Sequence, residues 1–140
     1  MPIKKQEFYE GAALHQLARA GAVTELRYAD PFFLVNGSVF VLLKYSTKGR
    51  SPWGFTFASA EQRTLANRAS RSSVVIALVC GGDGVAAFSY DSFRTIAPLR
   101  DSSLHIASYR PHGKHYQISG PEGILDEKVA PSNWRLLLHR

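Results

Sequence analysis

The stretch "PFFLVNGSVFVLLK", residues 31–44, gives the clearest fold signal in the chain. Two apolar runs flank Asn36-Gly37, a pair that tolerates positive φ in a type I′ turn and is typical of a β-hairpin. The turn fixes the strand register, because a slip of one residue would send every side chain to the opposite face. We predict two antiparallel strands, with Lys44 near the end of the second.

Helix and strand signals surround this hairpin. Apolar residues at helical spacing predict a helix over residues 4–20, and residues 22–28 alternate like a strand. The segment "STKGRSPWGF", residues 46–55, is predicted to be a loop because Gly and Pro interrupt it. Ser59 and Gln62 have the spacing of a capping box, which predicts a second helix to about residue 70.

The second half of the chain begins with "SSVVIALVC", residues 72–80, a continuous apolar run typical of a buried strand. The Gly-rich turn at residues 81–84 leads into another strand-like run rather than a helix, so it indicates a hairpin and not a phosphate loop. Asp91 is the expected cap of a short helix. Residues 103–110 and 114–120 predict a further hairpin, and residues 133–140 a terminal helix or strand.

This order of elements predicts an α/β fold with a mixed central β-sheet flanked by helices and an extra C-terminal β-hairpin. The chain has 140 residues, the length of one domain, and we expect residues 1–140 to form a single domain. It lacks the features of a secretory signal, and no apolar run approaches the ~18 residues of a membrane span, which predicts a cytoplasmic protein. The lone Cys80 is expected to be buried.

The formal net charge is +6, which permits attraction to nucleic acid. The basic residues are spread along the chain, so solvation of a small domain explains the charge equally well. Lys48 and Arg50 in the predicted loop lie beside Trp53 and Phe55, a combination suited to phosphates and stacked bases. The alternative is that the two aromatic rings pack at the edge of the core. Further nucleic-acid contacts are predicted at Arg63 and at the hairpin-tip residues Arg110 and Lys114.

Asp30 and Lys44 are candidates for chemistry, because the hairpin brings them to the same end of its two strands. Carboxylate oxygens bind Mg²⁺, and a nearby lysine can orient an attacking water or neutralise charge on a phosphate. The ordinary alternatives stay open. Asp30 before Pro31 is also a common turn pair, and a lysine at a strand end also extends into water.

Residues 4–90 resemble the core of the PD-(D/E)XK nuclease superfamily, which includes restriction endonucleases and Holliday-junction resolvases. The resemblance rests on the order helix with an acid, strand, acid, hairpin, apolar strand ending in lysine, helix with a glutamine, and apolar strand. It implies a restriction-endonuclease-like mixed sheet, DNA as the partner, and DNA cleavage with Mg²⁺ or Mn²⁺ in active members. Residues 91–140 would be a C-terminal extension.

Carried over to this sequence, the resemblance implies catalytic roles for Asp30, Lys44, Gln62 and an acid on the first helix, Glu10 or Glu7. The family's second acid lies two residues before the lysine, where this chain has Leu42. Glu61 is the substitute that we predict, so that Asp30 and Glu61 would be the metal ligands. The alternative for Glu10 is an ordinary solvated position on the helix. The alternative for Gln62 is a role in helix capping.

Two classes of function follow from these observations. In the first, the protein binds nucleic acid, with DNA expected and RNA not excluded, either as a divergent Mg²⁺-dependent DNA endonuclease or as an inactive relative that retains binding. In the second, the chain is a non-enzymatic interaction module, with a homodimer formed through the apolar hairpin and with charge serving solubility.

Overall fold

The computed structural model describes residues 2–21, 23–131 and 133–138. The helices are α1 (Lys5–Arg19), α2 (Ser59–Ala69), α3 (Tyr90–Ile96) and α4 (Asn133–Leu136). The strands are β1 (Leu26–Ala29), β2 (Phe32–Val35), β3 (Val39–Ser46), β4 (Trp53–Phe57), β5 (Ser73–Cys80), β6 (Gly84–Ser89), β7 (Leu104–Tyr109), β8 (Gln117–Gly120) and β9 (Gly123–Ile124). The fold is α/β, as predicted. Residue 22, where the first predicted strand begins, and residues 139 and 140 of the predicted tail lie outside the described residues.

The central sheet is mixed and has five strands in the order β1-β2-β3-β5-β6. β3 and β5 run parallel through the α2 connection, and the other neighbours are antiparallel. The predicted hairpin turn is confirmed, because Asn36 and Gly37 have φ values of 54° and 68° and the Ser38 N–H donates to the Val35 carbonyl. Strand pairing resumes at Val35 and Val39, which pins the register of β3 in the sheet.

A second sheet, antiparallel and in the order β4-β7-β8-β9, corrects one prediction. Residues 53–57 form a strand, whereas we expected residues 46–55 to be a loop. The predicted C-terminal hairpin is present as β7 and β8, and it pairs with this strand. Side chains in β4 alternate between buried and exposed, with Trp53, Phe55 and Phe57 facing inward. Gly54 occupies an exposed position between Trp53 and Phe55. Because glycine is typical of loops, it concealed the strand pattern in the sequence.

The central sheet separates two apolar cores. In β2, β3, β5 and β6, even-numbered side chains such as Leu42 and Ile76 pack against α2, α3 and the second sheet. Odd-numbered side chains such as Leu43 and Ala77 pack against α1 and α4. Strand β5 is buried on both faces as predicted, because both layers cover it. On these strands, an even or odd residue number therefore determines which side of the sheet a functional side chain faces.

Both predicted helix caps are wrong by a short distance. The N-cap of α2 is Ala58, so Ser59 is the first helical residue and its side chain makes no capping hydrogen bond. The N-cap of α3 is Ser89, whose side chain accepts from the Ser92 N–H, and Asp91 lies in the first turn. None of the helices in the described ranges is long and apolar enough to cross a membrane.

Candidate functional site

Lys44 and Glu61 form an ion pair at the end of β3. The Lys44 Nζ lies 2.8 Å from Glu61 Oε1 and donates a second hydrogen bond, of 2.7 Å, to the Thr56 carbonyl. It also lies 4.8 Å from the centroid of the Phe57 ring. Glu61 is in the first turn of α2, where a carboxylate is favoured by the helix dipole. The structure thus brings the predicted lysine and the predicted substitute acid together, and their side chains remain 20% and 27% exposed.

Asp30 lies at the same end of the hairpin as Lys44 but makes different contacts. It occupies the turn between β1 and β2, and its carboxylate accepts a hydrogen bond of 3.0 Å from the Tyr28 hydroxyl. The Tyr28 ring packs on Phe33, which belongs to the α1 side of the sheet. The Lys44 ammonium reaches the α2 side. Among the described residues, the ion pair of Lys44 is with Glu61 and not with Asp30.

The acids of α1 also lie across the sheet from Lys44, because α1 packs against the odd-numbered side chains. Glu7 accepts a hydrogen bond of 3.0 Å from the backbone N–H of Lys4 and so caps its own helix. Glu10 accepts from the Gln6 amide, and burial raises the pKa of its carboxyl above the ordinary value, with a smaller contribution from Glu7. The helix acids therefore do not converge with the Lys44–Glu61 pair.

Gln62 is a buried structural connection rather than a capping residue. It is 2% exposed, and its Nε2 donates to the carbonyls of Phe57 at 3.0 Å and Ser102 at 2.9 Å. Its Oε1 accepts from the Arg100 N–H at 3.1 Å. The amide thus uses both of its ends to join α2 to β4 and to the segment before β7.

The two carboxylates predicted as metal ligands make separate contacts in the structure. Mg²⁺ usually takes one or two protein carboxylates together with waters and substrate phosphates. Glu61 Oε1 is held by Lys44, and Asp30, the other predicted ligand, is bonded to Tyr28. In the described ranges no three His, Cys, Asp or Glu side chains converge to hold a metal ion.

A second candidate site lies where the β3–β4 loop meets the turn between β7 and β8. Ser51 Oγ donates to the Arg110 carbonyl at 3.2 Å, although the two residues are 59 positions apart. The two segments border an open groove of about 620 Å³. We call it the basic groove, and the two segments that border it also carry Lys48 and Lys114. Arg50, Arg110 and His112 line it directly.

Arg110 is held in place by a hydrogen-bond network. Its Nη1 lies 2.8 Å from Asp83 Oδ2, its Nε donates to the Lys114 carbonyl at 2.6 Å, and its guanidinium lies 5.1 Å from the centroid of the Tyr116 ring. The Tyr116 hydroxyl donates to the same Asp83 oxygen at 2.6 Å. Burial raises the pKa of Asp83, but the hydrogen bonds from Tyr116 and Arg110 outweigh it, and the net pKa lies below the ordinary value.

The β3–β4 loop is fixed on its inner side. The Trp53 Nε1 donates to the Lys48 carbonyl at 2.9 Å, and the Gly81 N–H donates to the Ser46 carbonyl. Gly81 has a φ of +55°, and a Cβ there would collide with the Lys48 carbonyl. Glycine is therefore required at this position, which the sequence had indicated only as part of a hairpin turn.

The residues predicted to contact nucleic acid lie in different parts of the structure. Lys48, Arg50 and Lys114 are exposed near the basic groove. Trp53 and Phe55 are each 2% exposed and belong to the core, as the alternative interpretation expected, so neither ring is available to stack on a base. Arg63 is exposed on α2, in the segment that carries Glu61 and not beside the groove. Sequence reasoning missed Asp83, whose carboxylate contacts both the groove's central arginine and the Tyr116 hydroxyl.

In comparisons with known proteins, no family model matches the chain, no curated protein matches it significantly, and no solved structure does so either.

Proposed function

We propose that this protein binds nucleic acid through the basic groove, without cleaving it. The observation that carries the proposal is the convergence of two segments far apart in sequence, joined by the Ser51–Arg110 hydrogen bond, which places Arg50 and Arg110 on one open groove. Phosphate contacts from Lys and Arg side chains supply most of the affinity in non-specific nucleic-acid binding.

The orientation of Arg110 supports a phosphate-binding role. Asp83 and the Lys114 carbonyl fix the guanidinium, so little side-chain entropy remains to be lost when it meets an anion. Asp83 offsets only one positive charge, and Lys48, Arg50 and Lys114 form no ion pair within the described residues. The groove therefore keeps a net positive charge that an extended polyanion can use.

The order of elements supports a relationship to the PD-(D/E)XK superfamily. A helix, three antiparallel strands, a crossover helix and a strand parallel to the third follow one another from α1 to β5, with β4 as an insertion. We place the protein among the non-cleaving members, because Asp30 and Glu61 are engaged by Tyr28 and Lys44 and do not form the carboxylate set that the metal needs. Binding at the groove requires no metal, and we propose that it takes place in the cytoplasm.

The test is fluorescence anisotropy of labelled duplex, single-stranded and branched DNA, with matched RNA, measured in EDTA over a series of salt concentrations. Arg50→Ala and Lys114→Ala should each weaken binding similarly for all sequences and reduce the salt slope by about one unit per phosphate contact removed. Arg100→Ala is the matched control. Arg100 precedes β7 and Arg110 follows it, and six strand residues at ~3.3 Å each separate the two ends by about 20 Å.

Three results would count against the proposal. The absence of binding to any of these nucleic acids at low salt would exclude it. An equal loss in the Arg100 control would show that total charge, not the groove, drives association. Cleavage with Mg²⁺ or Mn²⁺ that disappears in Lys44→Ala and Glu61→Gln would establish the cleaving version instead.

A further inference from the structure

β1 lies at the edge of the central sheet, and its outer side pairs with no strand in the described part of the chain. Its burial is low throughout, with Leu26 44% exposed and Tyr28 61% exposed. An edge strand presents a row of backbone N–H and C=O groups that can pair with another strand. Exposed apolar side chains on such an edge make it a candidate docking surface.

The backbone of β1 shows which residues point outward. The Glu25 carbonyl accepts from the Asn36 N–H, across the β1–β2 hairpin. Backbone groups in an antiparallel pair alternate in direction, so those of Arg27 and Ala29 also face β2. The N–H and C=O groups of Leu26 and Tyr28 therefore point away from the sheet, and these are the residues that an added strand would meet.

The side chains of β1 divide between two faces. Leu26 and Tyr28 pair with Val35 and Phe33, which face the α1 side of the sheet. α1 on that side also carries Phe8, which is 63% exposed. Glu25 and Arg27 alternate with these residues and face the opposite side. The edge thus has one apolar face and one face with a single acid and a single base.

We propose that β1 pairs antiparallel with β1 of a second copy of the chain, centred on Leu26, to form a continuous sheet across a two-fold axis. In this register Leu26 lies opposite Leu26 of the second copy. Glu25 then lies opposite the second copy's Arg27, and Arg27 opposite its Glu25. Both charge pairs are complementary, and the apolar side chains of the two edges meet on the α1 side.

The other registers allowed by the backbone are less favourable. Outward-facing residues must pair with outward-facing residues, so the alternatives to the register centred on Leu26 pair Leu26 with Tyr28 or Tyr28 with itself. Pairing Leu26 with Tyr28 places Arg27 opposite Arg27, and like charges directly opposite are destabilising. Pairing Tyr28 with itself leaves Arg27 opposite Ala29 and removes both charge pairs. Of these registers, only the one centred on Leu26 places Glu25 opposite Arg27 of the second copy.

Sedimentation velocity over about 1 to 200 µM protein tests the proposal, since so short an interface predicts a Kd in the micromolar range. Glu25→Arg and Arg27→Glu should each weaken dimerisation by about tenfold or more, because each variant makes both charge pairs repulsive. An equimolar mixture of the two variants should recover a dimer, since one copy then carries two bases and the other two acids. Arg100→Glu, which changes the same charge away from this edge, should dimerise like the original protein.

The mixture makes the test decisive, because a variant that had merely misfolded would not recover its partner. A monomeric original protein at the highest concentration overturns the proposal. Unweakened dimers in either single variant, or a mixture that stays monomeric, overturn it as well. None of these results bears on binding at the basic groove, which uses other residues.

Discussion

Replacing Gln62 with leucine tests the structural role of this side chain. The substitution keeps the approximate volume but removes three hydrogen bonds, one of them fully buried and two partly buried. A typical intramolecular hydrogen bond contributes about 1 kcal/mol, and a buried carbonyl left without a donor costs about 1 to 3 kcal/mol. The Phe57 carbonyl would lose its side-chain donor in the core, whereas water can replace part of the two outer bonds. We therefore expect a loss of about 2 to 3 kcal/mol in the free energy of unfolding.

Urea denaturation followed by circular dichroism measures this change, with Arg63→Ala as the control. Arg63 is the next residue on α2 and is exposed, so its replacement should change stability by less than about 0.5 kcal/mol. Hydrogen exchange supplies an independent readout, because the Arg100 N–H donates to Gln62 Oε1 and should lose protection in the leucine variant.

The expected pattern differs from that of a catalytic glutamine, which would change turnover and leave stability nearly intact. A loss below about 0.5 kcal/mol, together with unchanged exchange at Arg100, would refute the assignment of Gln62 as a buried connection.

Two further predictions concern ionisable groups. The net pKa of Asp83 is lowered, since the Tyr116 and Arg110 hydrogen bonds outweigh burial, so its contribution to stability is complete above the unfolded pKa of about 4 and is lost as pH falls through the folded value. The stability difference between the original protein and Asp83→Asn in urea should therefore shrink from about pH 6 to about pH 3, and a constant difference would contradict this. Burial raises the pKa of Cys80 to about 12. Mass spectrometry should show negligible alkylation by iodoacetamide at about pH 8 until guanidinium unfolds the chain, and equal rates in both conditions would contradict burial.

Local sequence signals predicted the central sheet well. Asn36-Gly37 encodes its turn through two residues that accept positive φ, and the uninterrupted apolar run of β5 matches its burial by both layers. The pairing of Lys44 with Glu61 was anticipated only through the family resemblance, which implies a substitute acid on the helix after the motif strand. These features depend on neighbours in sequence or on a single connection.

The errors arose where tertiary contacts override local composition. Gly49, Pro52 and Gly54 suggested a loop over residues 46–55, but pairing of β4 with β7 supplies the backbone hydrogen bonds of a strand. Gln62 has the spacing of a capping residue, yet the core offers its amide three better partners, two of them about 40 residues away. Neither outcome can be derived from the residues near these positions.

The predicted active site illustrates the same limit at the level of sheet faces. Strand ends place Asp30 and Lys44 at one end of the hairpin, but function requires their side chains on one side of the sheet. The register of β3 sends Lys44 towards α2, while the Tyr28 hydroxyl holds Asp30 on the side of α1. The basic groove shows the converse, because it brings together residues that the sequence assigned to different elements. Arg50 and Arg110 line one groove because β4 pairs with β7. The same pairing that was missing from the predicted fold therefore creates the site that best supports a function.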